Sequence, residues 1–168
     1  YPVKVLQQDL GAIRQKVQGM RADTTTPDTR LSDDPMPFNP AVVGSLIELM
    51  LGGIAPRHGE PLHCRVRYFD PINRRAGIPE DVAALVEKLT DDSVTLTLVN
   101  INQVEARTVI VQGGAYAEHQ FISATIDNEV MPIDHPAFTA QLAPGTGCRI
   151  TLQMKRYANQ PTLAFPWS

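Results

Sequence analysis

The histidine and cysteine residues of the segment RHGEPLHC are the first candidates for chemistry in this chain. His58, His63 and Cys64 are residue types that bind zinc in proteins. His63 and Cys64 are neighbours in a predicted strand, so their side chains point to opposite faces and cannot reach one ion without a bulge. We therefore predict surface histidines beside a loop, with neither a metal nor a cofactor.

A second candidate is the carboxylate–histidine pair Glu118 and His119. These residues are also neighbours in a predicted strand, and their side chains face apart. We expect His119 to have a structural hydrogen-bonding role, or to join Arg107 or Glu105 across a hairpin, rather than to act in catalysis.

Asp134 and His135 form a third candidate pair, in the segment MPIDHPAF. The flanking prolines predict a loop. A carboxylate can orient an imidazole base, but the sequence identifies no nucleophile that such a pair would serve. No catalytic residue is predicted, and whether the chain belongs to an enzyme stays open at this point.

Aromatic residues are candidates for stacking on a sugar ring, and Tyr116, Tyr157 and Trp167 are the predicted ligand-binding residues. Trp167 lies in the tail TLAFPWS together with Leu163 and Phe165. A free tail would not normally expose that much apolar surface. We expect it to fold back as an edge strand or to dock on another domain.

Composition excludes several classes of protein. The chain has 168 residues, of which 43% are hydrophobic and 20% charged, with a net charge of -3. Such a chain is globular, and the acidic balance argues against nucleic-acid binding. No apolar run is long enough for a membrane span, so we expect no membrane partner, and localisation stays open between cytoplasmic and secreted. Because the first residue is Tyr1 rather than methionine, we expect an excised or processed piece of a longer chain.

The two cysteines, Cys64 and Cys148, both fall at inward strand positions. Free buried cysteine is common, and two cysteines do not make a disulfide framework. The sequence does not decide whether they pair.

Residues 3–21 are predicted to form a helix with one apolar stripe, made of Leu6, Leu10, Ile13, Val17 and Met20. The spacing resembles a heptad seam, but it is short for a coiled coil. We expect the helix to pack on its own domain, or on a neighbouring one, in preference to forming a dimerisation seam.

Two further helices are predicted. Residues 22–40 have linker composition. Asn39 and Pro40 then start a helix that is apolar nearly all round, and Gly52 with the following glycine ends it. Pro79–Leu89 is predicted as a third short helix with acids in its first turn.

The remainder of the chain is predicted to be β structure. Alternation of apolar and polar residues indicates strands at Leu62–Phe69, Val94–Leu98, Tyr116–Ile126 and Arg149–Lys155. The nearly continuous apolar run Thr108–Gln112 indicates a central strand. Leu96, Ile150 and Leu152 are predicted core residues. The fold class is α+β, an antiparallel β-sandwich (immunoglobulin-like or similar) with two or three packed helices mostly in the N-terminal half. The predicted organisation is an N-terminal helix at 1–21, a linker at 22–40 and the sandwich with accessory helices at 41–168.

The segment LVNINQVEARTVIVQGG, followed by a QLAPGTG turn and a final amphipathic strand, resembles the C-terminal β-sandwich accessory modules of large bacterial carbohydrate-processing enzymes. The resemblance covers residues 93–157, under half of the chain. It implies a non-catalytic module that braces or oligomerises the catalytic domain, with another domain or subunit of the same protein as partner. The alternative is a carbohydrate-binding module with an aromatic platform.

Overall fold

The described part of the chain is built from two helices and nine strands. The computed structural model describes residues 1–29, 39–54, 56 and 59–167; His58 and much of the predicted linker lie outside these residues. The helices are α1 (Pro2–Ala22) and α2 (Gly44–Leu51), and a short 3-10 turn spans Pro27–Thr29. The strands are β1 (Val66–Asp70), β2 (Arg75–Ala76), β3 (Val82–Leu89), β4 (Ser93–Asn100), β5 (Arg107–Gly113), β6 (Gln120–Ile126), β7 (Glu129–His135), β8 (Ala137–Leu142) and β9 (Gly147–Lys155).

The strands of the described residues form two antiparallel sheets. Their orders are β2-β1-β5-β8 and β3-β4-β9-β6-β7. Apolar side chains from both sheets meet in one buried cluster, to which α2 contributes Leu51. This is the α+β, sandwich-like architecture that the sequence predicts, with both helices in the N-terminal half.

The inward positions of β4 and β9 form the centre of the core. Leu96 pairs with Ile150 and Val94 with Leu152 across the two strands, and all four side chains are fully buried. Successive side chains of a strand point to opposite faces, so the alternation with polar residues predicted this phase. The predicted core positions are confirmed.

The prediction of a third helix at Pro79–Leu89 is wrong, because this segment contains strand β3. Asp81, just before the strand, has a φ of 63°, a left-handed conformation that does not fit a right-handed helical turn. β3 pairs with β4, and a register shift separates Val86 from Lys88. The apolar residues fit both the helical and the strand period, and the pairing with β4 decides between them.

The predicted strand from Tyr116 is too long at its start. β6 begins at Gln120, so Glu118 and His119 lie in the β5–β6 loop and not in a strand. Gly114 in this loop has a φ of 84°, which glycine adopts without strain. The chain therefore changes direction at Gly114, directly after β5 ends.

Two further predictions about β6 and β7 are corrected. The alternation that predicts strand Tyr116–Ile126 sets Ile122 in phase with Ala124, but Ile122 is exposed while Ala124 is buried, because the register shifts between Phe121 and Ser123. Asp134 and His135 were expected in a loop, and they form the end of β7.

Helix α2 begins later than its predicted start at Asn39. Its first residue is Gly44, and no side chain within the helix caps it. Instead, Asp9 of α1 accepts a hydrogen bond from the Ser45 N–H at 2.9 Å, which satisfies a donor of the first turn. Gly52 ends the helix in a left-handed conformation, as predicted.

The C-terminal tail folds back on the four-stranded sheet, but not as an edge strand. Phe165 and Trp167 stack with ring centroids 4.9 Å apart, and both meet the ring of Phe69 edge-on. The Thr162 N–H also donates to the carbonyl of Tyr116 at 2.8 Å. The tail thereby buries Phe69, an outward-facing residue of β1.

Candidate functional site

One face of α1 is anchored to the segment that carries α2. Val5 on this face is 4% exposed. Lys16 Nζ donates to the carbonyl of Asn39 at 2.9 Å, and the Tyr1 hydroxyl donates to the carbonyl of Glu48 at 3.3 Å. The early residues of α1 thus meet the end of α2, and the later ones meet the segment before it. The two helices therefore run antiparallel.

The apolar stripe of α1 lies beside this anchored face. Leu10 is 49% exposed, and two more of its members are exposed while two are half-buried. The stripe, extended by one residue, is called the α1 seam: Val3, Leu6, Leu10, Ile13, Val17 and Met20. Its intervals alternate between three and four residues, as do the a and d positions of a coiled coil. The helix packs on its own domain through Val5, as expected, but the exposed members of the stripe are not covered there. That a neighbouring domain covers them stays a prediction.

Helix α2 adds apolar surface to the same helical layer. Leu49 and Leu51 are buried, but Val43 and Leu46 are exposed. The expectation that α2 is buried on several sides therefore holds only for its inner side. Regularly spaced apolar residues in water mark a surface that binds another surface.

The three predicted ligand-binding aromatics belong to separate packing arrangements. Tyr116 packs on the core cluster, Tyr157 meets the His119 ring at 4.8 Å, and Trp167 stacks on Phe165. Among the described residues, no two of these three rings are in contact. The carbohydrate-binding hypothesis stays a prediction.

His119 has the structural role that was expected of it, but with a different partner. It is buried, and its Nδ1 accepts a hydrogen bond from the Tyr157 N–H at 3.2 Å. Burial lowers the pKa of His119 and so favours the neutral ring. The suggested partners Arg107 and Glu105 instead bond to each other at 2.7 Å.

In each of the other candidate pairs, the two side chains have separate surroundings. Asp134 accepts a hydrogen bond from Gln120 Nε2 at 3.1 Å, while the ring of His135 bonds to the main chain of Ala137. His63 is exposed and its neighbour Cys64 is buried. This agrees with the prediction that their side chains point to opposite faces. Both cysteines of the chain are free thiols.

An apolar cleft of about 430 Å³ opens between edge strands β7 and β8. Its walls include Ile126, Met131, Ile133, Phe138 and Cys148. None of the described residues that line it is an Asp, Glu, His, Lys or Arg. The wall does include the free thiol of Cys148, whose pKa is raised by burial.

Comparison with known proteins identifies no relative. No family model, curated protein or solved structure matches the chain. In the described ranges no three His, Cys, Asp or Glu side chains are grouped to hold a metal ion, and none of the described helices is long and apolar enough to cross a membrane.

Proposed function

We propose that this chain is a non-catalytic assembly module that dimerises through the α1 seam. The observation that supports this is an apolar seam at heptad spacing on a helix whose adjacent face is already anchored to its own domain. Burying apolar surface stabilises by about 25 cal/mol per Å². A second copy of the same helix offers matching holes for the seam residues.

The charges beside the seam favour an antiparallel pair. An antiparallel arrangement matches all six seam positions, as Val3 with Met20, Leu6 with Val17 and Leu10 with Ile13. Asp9 then lies within about 3 Å, along the helix axis, of Lys16 in the second copy, since each residue advances the helix by about 1.5 Å. Within the chain, Asp9 already accepts the Ser45 N–H and Lys16 donates to the Asn39 carbonyl. The contact between copies would use the other carboxylate oxygen and the remaining ammonium donors. A parallel pair would also set Asp9 beside Arg14, but it would place Lys16 beside Arg21, which are like charges.

Within a longer protein, such a dimer would bring two copies of a neighbouring domain together. The bracing of a larger bacterial enzyme, which the resemblance of residues 93–157 implies, belongs to this proposal. The assignment of the sandwich to the immunoglobulin-like type is likewise part of the proposal.

Sedimentation equilibrium of the whole chain at micromolar concentrations tests the dimer. We expect wild type to dimerise and Leu10→Asp to be monomeric, because a carboxylate in the seam would be desolvated without a partner. Gln8→Asp, an exposed position of α1 away from the seam, is the matched control and should dimerise as wild type does. A monomeric wild type, or equal dissociation of both variants, would contradict the proposal.

Cysteine pairing tests the orientation, in a Cys148→Ser background that removes the half-buried native thiol. In an antiparallel dimer, the double variant Leu6→Cys with Val17→Cys forms intermolecular disulfides on oxidation, whereas either single variant does not. In a parallel dimer, Leu10→Cys alone would cross-link.

A further inference from the structure

A small pocket of about 160 Å³ lies where the end of α2 meets the sandwich. Its walls come from residues 52–54, 63–65, 118–119 and 156–157. Four segments that are distant in the sequence therefore converge on one place. Tyr157, a predicted ligand-binding residue, is among them.

Two guanidinium groups border this pocket without a carboxylate partner. Arg65 donates to the main-chain oxygen of Asp91 at 3.3 Å, and Arg156 donates to the Tyr157 hydroxyl at 3.4 Å. Neither arginine forms an ion pair with a described residue, whereas Arg107 pairs with two carboxylates. Burial and then the nearby positive charge of Arg156 lower the pKa of Arg65. The fold thus holds two like charges near each other.

One donor of this pair has no acceptor. The Nε atom of Arg156 is buried and makes no hydrogen bond. An unsatisfied buried donor is destabilising, and a bound ion is one of the explanations that such a group has in native proteins, beside a buried water or local strain. The guanidinium is also held in place, with its Cζ 5.2 Å from the centre of the Tyr157 ring.

The backbone beside Arg156 is fixed in an unusual conformation. Tyr157 has a φ of 53°, which is uncommon for a residue other than glycine. Its N–H donates to the buried ring of His119, and the two rings meet edge to face. Strained residues of this kind cluster at binding sites.

The acidic wall residue Glu118 offsets one of the two arginine charges, and Asp91, whose charge acts on Arg65, is not part of the pocket wall. Glu118 is a wall residue, but its carboxylate accepts the N–H of Tyr116 at 2.7 Å and that of Ala115 at 3.3 Å. Burial and then the charge of Glu118 raise the pKa of the Cys64 thiol to about 12, so this thiol carries no charge at neutral pH. The balance of fixed charge in the pocket is positive, which favours an anion.

We propose that this pocket binds a phosphate group, held by the guanidinium groups of Arg65 and Arg156. Phosphate oxygens accept several guanidinium N–H groups at once. The bound group would neutralise the two like charges. The site is independent of the α1 seam.

Isothermal titration of the whole chain with inorganic phosphate, at constant ionic strength against chloride, tests the site. We expect saturable binding by wild type. Arg156→Met should weaken it by about tenfold or more, the effect of losing hydrogen bonds to a charged group. Arg65→Met is a second, independent variant with the same expected loss. Glycerol phosphate is titrated in parallel, and tighter binding of this ester would identify a phosphorylated molecule, not free phosphate, as the ligand.

Lys155→Met is the matched control, because it removes an exposed positive charge next to Arg156 without changing the pocket wall. It should bind phosphate within about twofold of wild type, since an exposed charge is screened by salt. Circular dichroism confirms that each variant is folded. The proposal is overturned if wild type shows no saturable binding, or if Lys155→Met loses binding as fully as the two arginine variants.

Discussion

The interior of the sandwich and the α1 seam contain the same kinds of residue, at equally regular spacing, and differ in what covers them. Leu152 on β9 is fully buried by the facing sheet, whereas Leu10 on α1 is half-exposed. In the sandwich, each apolar face meets another apolar face of the same chain. In the helical layer, α1 places one face on the segment of α2 and leaves the seam beside it in water.

This difference shows what a hydrophobic period predicts and what it does not. A hydrophobic period of 2 residues in a strand, or 3.6 residues in a helix, identifies a face whose removal from water is favourable. It does not identify the surface that covers that face. For β4 and β9 the covering surface lies in the same chain, and for the α1 seam we propose that it is a second copy.

Truncating one leucine in each region tests the comparison most strongly. Leu152→Ala should cost about 2–5 kcal/mol, because it removes buried methyl groups and leaves a cavity in a packed core. Leu10→Ala should cost much less in the monomer, since half of its side chain is already in water. Urea unfolding measures both variants.

Repeating these melts at two protein concentrations sharpens the contrast. The loss in unfolding free energy caused by Leu152→Ala should not depend on protein concentration. That of Leu10→Ala should grow as concentration rises, because it weakens a dimer that stabilises only wild type by mass action. A loss below about 0.5 kcal/mol for Leu152→Ala, the size of an ordinary surface substitution, would reject the assigned strand phase.

The junction between the two regions provides a smaller effect. At Gly53 a Cβ atom would overlap the carbonyl oxygen of His63 and approach Cys64 Cα at 2.6 Å, so backbone has to move. Gly53→Ala should cost about 1–3 kcal/mol, as overpacking does. Gly19→Ala, where nothing lies within 4 Å, should instead stabilise α1 by up to about 1 kcal/mol. Equal stability of the two variants would show that α2 is not fixed to the sandwich at Gly53.

The sequence was sufficient to predict a helix or strand wherever one hydrophobic pattern dominates the segment. β4 and β9 show clear alternation, β5 contains a continuous apolar run that fits its place inside a sheet, and α1 shows a clear helical stripe. It was misleading at β3, where Val82, Val86 and Leu89 suit a helix, while a bulge after Val86 returns Leu89 to the core side of a strand. Such a choice depends on pairing with a distant segment, which local spacing does not contain.

The pocket between Arg65 and Arg156, which we propose binds phosphate, could not be predicted from spacing for a related reason. Arg65 precedes β1 and Arg156 follows β9, and only the packing of the two sheets brings them together. Tyr157 was singled out for its aromatic ring, but its role in the structure comes from its backbone N–H and its contact with Arg156. His119 was expected to make a structural hydrogen bond, and that prediction is confirmed.

The smallest expected effect is the pH dependence that His119 contributes. Burial is the main cause that lowers its pKa in the folded chain; the charge of Glu118 opposes the shift, and those of Arg156 and Arg65 add to it. The unfolded value is about 6.5. Because the folded pKa is the lower one, the stabilisation is complete above about pH 6.5 and is lost as the pH falls from there through the folded value.

His119→Asn offers an oxygen for the Tyr157 N–H but does not titrate. We therefore expect the stability of wild type, measured by urea unfolding, to fall more steeply than that of His119→Asn between about pH 6.5 and 5. The carboxylates Asp70 and Glu87, whose pKa values are also lowered, lose their contribution only below about pH 4, outside this range. Equal slopes for wild type and His119→Asn would show that His119 is not held neutral by the fold.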